Sequence, residues 1–290
     1  MVALCASALI VVMALIGCAR GPRAILRNEP PMTYEAVATA HNARAARLDR
    51  IWARAIVELW YVDDRGARRR EQGEGHLQIR QPGDVALSIG KLGETYAWLG
   101  ADGERFWFFD RFDEPRAVVG RLDNVGRPCA ERLGLPADPL TLVDLIGASP
   151  IPDAGGATAW SEDGRSVVVS FDRHGGRERL WLDAASLLPR RIELAGAEPD
   201  GRLVSVLEND TPVHQRDEGG FYPLLASRIE IVHAASETRI ALHLSDAEDG
   251  RSRPGRLSDR AFDFDTLRAV FRPVEIHVLD ANCAQAALGG

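Results

Sequence analysis

Gly75-His76-Leu77-Gln78-Ile79-Arg80-Gln81-Pro82-Gly83-Asp84-Val85-Ala86-Leu87-Ser88-Ile89 alternates apolar and polar side chains on both sides of a Pro-Gly step. A two-residue period marks a strand with one buried face, and Pro-Gly reverses the chain, so this stretch predicts two antiparallel strands. The pattern extends downstream, where Tyr96-Ala97-Trp98-Leu99 and Phe106-Trp107-Phe108-Phe109 flank the turn Gly100-Ala101-Asp102-Gly103. Upstream, Ala53, Ala55, Val57, Leu59 and Tyr61 fall on one parity of residues 51–62, and Arg54, Glu58 and Trp60 on the other, ahead of a turn at Asp63-Asp64-Arg65-Gly66.

Further strands are read at 166–171, 179–183, 190–194, 203–207, 227–232 and 239–244. Two helices interrupt them. Residues 33–49 are rich in good helix formers, with Thr33 as N-cap and Tyr34, Val37, Ala40, Ala45 and Leu48 near helical spacing. Residues 138–147 carry Asp138 at the N-cap, Pro139 at the first helical position and Gly147 as terminator. Ten or eleven strands with two helices imply an α+β, mainly β fold: a strongly curved antiparallel sheet covered on one side by helices. The expected organisation is one folded domain over residues 34–280 and a flexible tail over 281–290.

Ahead of it, residues 1–17 form an apolar run of signal-peptide length, too short to span a bilayer comfortably. The run ends in Leu15-Ile16-Gly17-Cys18, which resembles the lipobox of bacterial lipoproteins. That resemblance implies cleavage before Cys18 and lipidation of its thiol; acyl chains there hold a soluble domain on a membrane, each buried methylene adding about 0.8 kcal/mol. Residues 18–33 then read as a polar, proline-bearing tether. Ala19 in place of Asp implies, by the enterobacterial sorting rule, the periplasmic side of the outer membrane rather than the inner membrane.

The 290 residues carry a net charge of −7, without the basic balance that nucleic-acid binding requires. With Cys5 removed and Cys18 lipidated, Cys129 and Cys283 remain; an oxidising compartment permits a bridge between them, and two separate buried thiols are the alternative. The seven histidines show no ligand spacing, no Gly-x-Ser-x-Gly turn or phosphate loop is present, and the acidic pairs lie in turn-like segments. No catalytic residue, metal or cofactor is therefore assigned.

The order of elements, together with several local phrases, resembles the LolA/LolB superfamily of periplasmic lipoprotein carriers. Gly75–Gly83 is similar to the family's strand ending at a proline, and residues 100–107 resemble its Asp-Gly hairpin. Leu182-Asp183 with Leu188-Pro189-Arg190-Arg191-Ile192 is similar to a family strand pair, and Leu257-Ser258-Asp259-Arg260-Ala261-Phe262 to its closing phrase. The resemblance covers residues 34–265. It implies an unclosed β-barrel, a half-barrel whose concave face and helical lid enclose an apolar cavity for acyl chains or lipoproteins as cargo, and with a lipobox it favours the membrane-anchored type, acting as a monomer.

Acyl chains need apolar area without directional polar groups. On strand parity the inward candidates are Leu77, Ile79, Val85, Leu87, Ile89, Tyr96, Trp98, Trp107 and Phe109; the alternative is that they fill an ordinary core. Arg65, Arg68, Arg69 and Arg70 form a basic loop that either meets anionic headgroups or is a solvated turn balanced by Asp63, Asp64, Glu71 and Glu74. Besides lipid binding, a structural or protein-interaction module of the envelope, and last a hydrolase, remain as readings.

Overall fold

The hydroxyl of Thr33 accepts the Ala36 amide at 3.3 Å and starts α1 (Tyr34–Ala45), which buries Tyr34, Val37, Ala38, His41 and Ala45. The computed structural model describes residues 24–62, 66–112, 114–125, 127, 129–131, 139–173, 176–195, 202–215, 222–233, 238–252 and 255–286. Residues 1–23 with Cys18, and also Asp63, Asp64, Arg65, Asp138 and His174, lie outside them.

After α1 the chain runs through β1 (Arg50–Val62), β2 (Arg68–Arg80), β3 (Asp84–Lys91), β4 (Glu94–Asp102), β5 (Arg105–Asp110) and β6 (Arg116–Arg121). Helix α2 (Pro139–Leu145) follows, then β7 (Ala157–Trp160), β8 (Ser166–Arg173), β9 (Gly176–Asp183), β10 (Pro189–Leu194), β11 (Leu203–Pro212), β12 (Leu224–His233) and β13 (Arg239–Asp249). Helix α3 (Phe264–Phe271), β14 (Glu275–Val278) and α4 (Ala281–Ala286) end the described chain. All the strands form one curved, unclosed sheet in the order β14-β6-β5-β4-β3-β2-β1-β13-β12-β11-β10-β9-β8-β7.

The described sheet thus has fourteen strands where the alternation predicts ten or eleven. β7 and β14 are four residues each, too short to show a period, and Ala117-Val118-Val119 in β6 is apolar without alternation. β14 is also parallel to its neighbour β6, an exception to the antiparallel reading. The charged stretch Arg68–Gln72, read as a turn, is strand: β2 pairs with β1 without interruption from Val62↔Arg68 to Arg50↔Arg80.

Alternation sorts the sheet into two faces. Leu77, Leu87, Leu99 and Phe108 occupy one register row across β2 to β5 and point into the concave side, where α1 and α2 pack. On the opposite side Trp107, Phe109 and Ala117 pack against Phe264, Leu267 and Phe271 of α3. Phe109 stacks on Phe264 and Phe271 with ring centroids 5.5 and 5.0 Å apart. Asp263 starts α3 by accepting the Thr266 amide at 2.5 Å, and Arg272 in the left-handed region ends it.

Both ends of the described chain are more tightly held than their composition suggests. Residues 281–286, expected as part of a flexible tail, form a helix whose Cys283 is disulfide-bonded to Cys129. In the expected tether, the Ile25 amide donates to Asp163 O at 2.7 Å and Arg27 lies over the Trp160 ring. Trp160 Nε1 and the Thr158 hydroxyl donate to Glu29 O and Met32 O, both at 2.8 Å, so this segment runs along β7 at the end of the sheet. Covering an edge strand in this way removes a template for pairing with other chains.

Candidate functional site

The hollow of the concave face follows from small residues. Ala55, Gly75, Ile89 and Ala97 form one inward row across β1 to β4, and Gly73 sits opposite Val57 in the next row. Three side chains of the four in the first row are a methyl group or nothing, so the sheet presents a depression there. A methyl group added at Gly73 would run into the Ile89 side chain and the Gly90 carbonyl, which ties this position to glycine.

Facing the depression, α2 contributes Leu142, and between them lies about 790 Å³ of empty space, its open mouth included. The deep wall is Val57, Leu87, Ala97, Leu99, Leu142 and Leu242, all buried. Around the mouth stand Leu59, Ile89, Tyr96, Phe108 and Ile240, half-buried, and Phe112, 49% exposed. Tyr96 and Phe112 pack ring on ring at 5.6 Å. The ionisable side chains in the lining are Glu71, beside Gln72, and Tyr96, both at the mouth, while everything deeper is hydrocarbon. That space is an upper bound on what the hollow encloses, and the chemistry of its walls suits an aliphatic ligand.

Of the nine residues that strand parity points inward, Leu87, Ile89 and Tyr96 line this cavity. Leu77, Ile79 and Val85 are on the same face but at 0–1% exposure they are packed solid beneath the helices. Trp98, Trp107 and Phe109 are on the opposite face, where the α3 segment covers them. The reason is a bulge: Ile89 pairs with Ala97 and Gly90 with Thr95, so Tyr96 is an extra residue and parity counted from it inverts along β4. Leu99 and Phe108 take the inward places instead, and their signal was hidden because both faces of β4 and β5 are apolar. Of the basic loop, Arg70 pairs with Glu58 at 2.5 Å and lies over Trp60, and Arg69 stands opposite Tyr61 on the inward parity, one row beyond Glu71.

The segment that leaves α2 is held by side chains along almost its whole length. Ser205 Oγ donates to Leu145 O at 2.7 Å, Gln81 Nε2 to Ala148 O at 2.9 Å and His41 Nε2 to Ser149 O at 3.0 Å. Asn42 donates to Ile151 O and accepts its amide, both at 2.8 Å, and Tyr34 OH donates to Pro152 O at 2.7 Å. Arg44 donates to Gly147 O and to Leu224 O, and Arg173 to Pro150 O and to Asp144 of α2. Buried backbone carbonyls outside a helix or sheet require such partners, and here they come from α1, the turn between β2 and β3, β8 and β11.

Two buried groups in this clasp titrate in opposite senses. Burial, reinforced by the charges of Arg44 and Arg173, lowers His41 to about 4, so the ring is neutral with Nε2 carrying the proton toward Ser149 O. Burial raises Glu178 to about 7, with Asp144 adding to the rise and Arg173 opposing it. Unfolded His41 takes a proton near 6.5 and folded His41 only near 4, so its share of stability, about 3 kcal/mol, is present above pH 6.5 and lost as pH falls toward 4. For Glu178 the folded value is the higher, so its share is present below about 4.5 and lost as pH rises through 7. Between pH 7 and 4.5 the two offset each other. In Glu178→Gln the offset is gone, and urea unfolding midpoints are expected to fall more steeply with acid than in the parent; equal slopes would contradict the assignment.

No group of three His, Cys, Asp or Glu among the described residues is placed to hold a metal ion. No helix among them is long and apolar enough to cross a membrane. No protein-family profile and no curated protein sequence matches the chain. Among solved structures, a LolA superfamily protein from Nitrosomonas europaea superposes with a TM-score of 0.51 at 16% identity, over 81% of this chain and 99% of that one. The fold is that of the LolA superfamily. A DUF1329 family protein from Desulfovibrio piger is also similar, at a TM-score of 0.46 and 11% identity over 81% and 98% of the two chains. In this chain α1 and α2 are the helices on the concave face and the cavity lies under α2, whereas α3 covers the convex side.

Proposed function

We propose that this LolA-like protein is a non-enzymatic carrier or receptor for acyl chains, held by a lipidated Cys18 on the periplasmic side of the outer membrane and serving lipid or lipoprotein transfer there. The observation that carries this reading is the hydrocarbon-walled hollow between β1–β4, β13 and α2. A chain that buries about ten methylenes at about 0.8 kcal/mol each gains roughly 8 kcal/mol, which corresponds to micromolar affinity. The lipobox at Leu15–Cys18 supports the anchor, and the fold shared with a LolA superfamily protein supports transport over catalysis.

The hairpin between β3 and β4 suits contact with a lipid surface. Its tip, Leu92-Gly93, has positive φ at both residues, and Leu92 is 98% exposed where Asn or Gly is the usual choice. It projects beyond Ile89 and Tyr96, two residues of the cavity mouth.

The test is binding of a fluorescent fatty acid to delipidated protein. Saturable binding at micromolar concentration is expected, weakened about tenfold in Ile240→Trp, where the indole fills space at a half-buried site without disturbing the packed core. Protein that excludes the probe would instead favour an interaction module of the envelope.

A further inference from the structure

We propose that the cavity accepts one acyl chain at a time, so that the cargo is a monoacyl amphiphile, a free fatty acid or a lysophospholipid, and not a polypeptide carrying three chains. This rests on the acyl-binding reading above and narrows it to a class of ligand.

The first observation is capacity. The hollow holds about 790 Å³, part of which is the open mouth. A methylene takes up about as much room as a water molecule, ~30 Å³, so the whole space holds roughly 26 carbon atoms at most. One chain of about sixteen carbons stays within that upper bound, whereas two need roughly 960 Å³ and three roughly 1,400 Å³ by the same measure.

The second observation is that the walls are not free to retreat. Beyond the hollow, the concave face is closed by side chains at 0–1% exposure: Leu48, Leu77, Ile79, Leu145 and Ile146. The covering helix is fixed from behind, because the carbonyls of Leu145, Gly147, Ala148, Ser149, Pro150, Ile151 and Pro152 each accept a hydrogen bond from a side chain on another element. Lifting α2 to admit more cargo would strand these acceptors, at about 1–3 kcal/mol for each one left buried and unpaired. Packed interiors of this kind do not deform continuously.

The third observation is polarity at the opening. Glu71, Gln72 and the Tyr96 hydroxyl are the polar groups of the lining, and the first two sit on the exposed part of β2. A ligand with one tail and one polar head places the tail among Val57, Leu99 and Leu242 and leaves its head at this rim in water. A second or third tail attached to the same head would have to remain in solvent.

The experiment uses the full chain with Cys18→Ser, which carries no lipid of its own, after delipidation. Native mass spectrometry counts bound palmitate, and displacement of a fluorescent fatty acid ranks palmitate, a palmitoyl lysophospholipid and a synthetic tripalmitoyl lipopeptide. One palmitate per protein is expected, with the lysophospholipid within about threefold of palmitate and the lipopeptide at least about thirtyfold weaker. Two or more palmitates per chain, or a lipopeptide as tight as palmitate, would overturn the single-chain assignment and leave acyl binding in place. Absence of all three ligands from the protein would remove the acyl-binding reading itself.

Discussion

Replacing Cys129 and Cys283 by serine is expected to lower the stability of the folded protein by about 4–5 kcal/mol and its unfolding temperature by about 10 °C. The bond joins residues 154 positions apart, so in the chain-entropy account it restricts the unfolded ensemble far more than a short loop would. It acts where the sheet has little else. β14 is four residues long, pairs only with β6, and leaves Val278 44% exposed. The neighbourhood is held by Asp280, which accepts the Arg121 amide at 3.1 Å and Asn124 Nδ2 at 2.6 Å, and by His277 on Glu131 at 2.7 Å. In the serine variant, amide exchange at Ile276 and Val278 is therefore expected to rise before that at Leu87 or Leu99, which lie mid-sheet. An unchanged denaturant midpoint would show that the bond contributes nothing beyond its contacts.

Arg44→Met is the second large effect, a loss of about 3 kcal/mol or more. The Arg44 guanidinium donates to Gly147 O and to Leu224 O, so it joins α1 to the exit of α2 and to the start of β12. Burial lowers its pKa to about 10, against the pull of Asp210, and it remains charged at any physiological pH. Methionine keeps much of the stem volume but leaves both carbonyls without their donor. The loss should be independent of pH between 6 and 8, and circular dichroism melts would check both its size and its flatness. A loss under about 1 kcal/mol would mean that water replaces the guanidinium at these carbonyls.

The strands 51–62 and 75–89 are legible because their inward residues are almost all apolar while most of the outward ones are polar, even where the outward Ala86 packs against Ala261 and Phe262. Where the structure makes both faces apolar, as in β4 and β5 between α2 and α3, period two carries no direction, so strand parity points Trp98, Trp107 and Phe109 inward although they face the α3 side. The bulge at Tyr96 depends on the pairing partner and leaves no mark in the local pattern. The clasp on residues 145–152 was equally hidden. His41, Asn42, Arg44 and Arg173 reach it from 23 to 109 residues away, and each alone reads as an ordinary helix or strand residue. The hollow itself was partly visible, since Ala55, Gly73, Gly75 and Ala97 are small where a packed strand would carry Val or Ile.

The most direct test of the cavity assignment is a nuclear Overhauser measurement on protein with labelled methyl groups and bound carbon-13 palmitate. Contacts from the chain methylenes to the methyls of Leu87, Leu99 and Leu242 are the expected result. Contacts confined to surface methyls such as Val270 and Val274, with those three leucines silent, would contradict it.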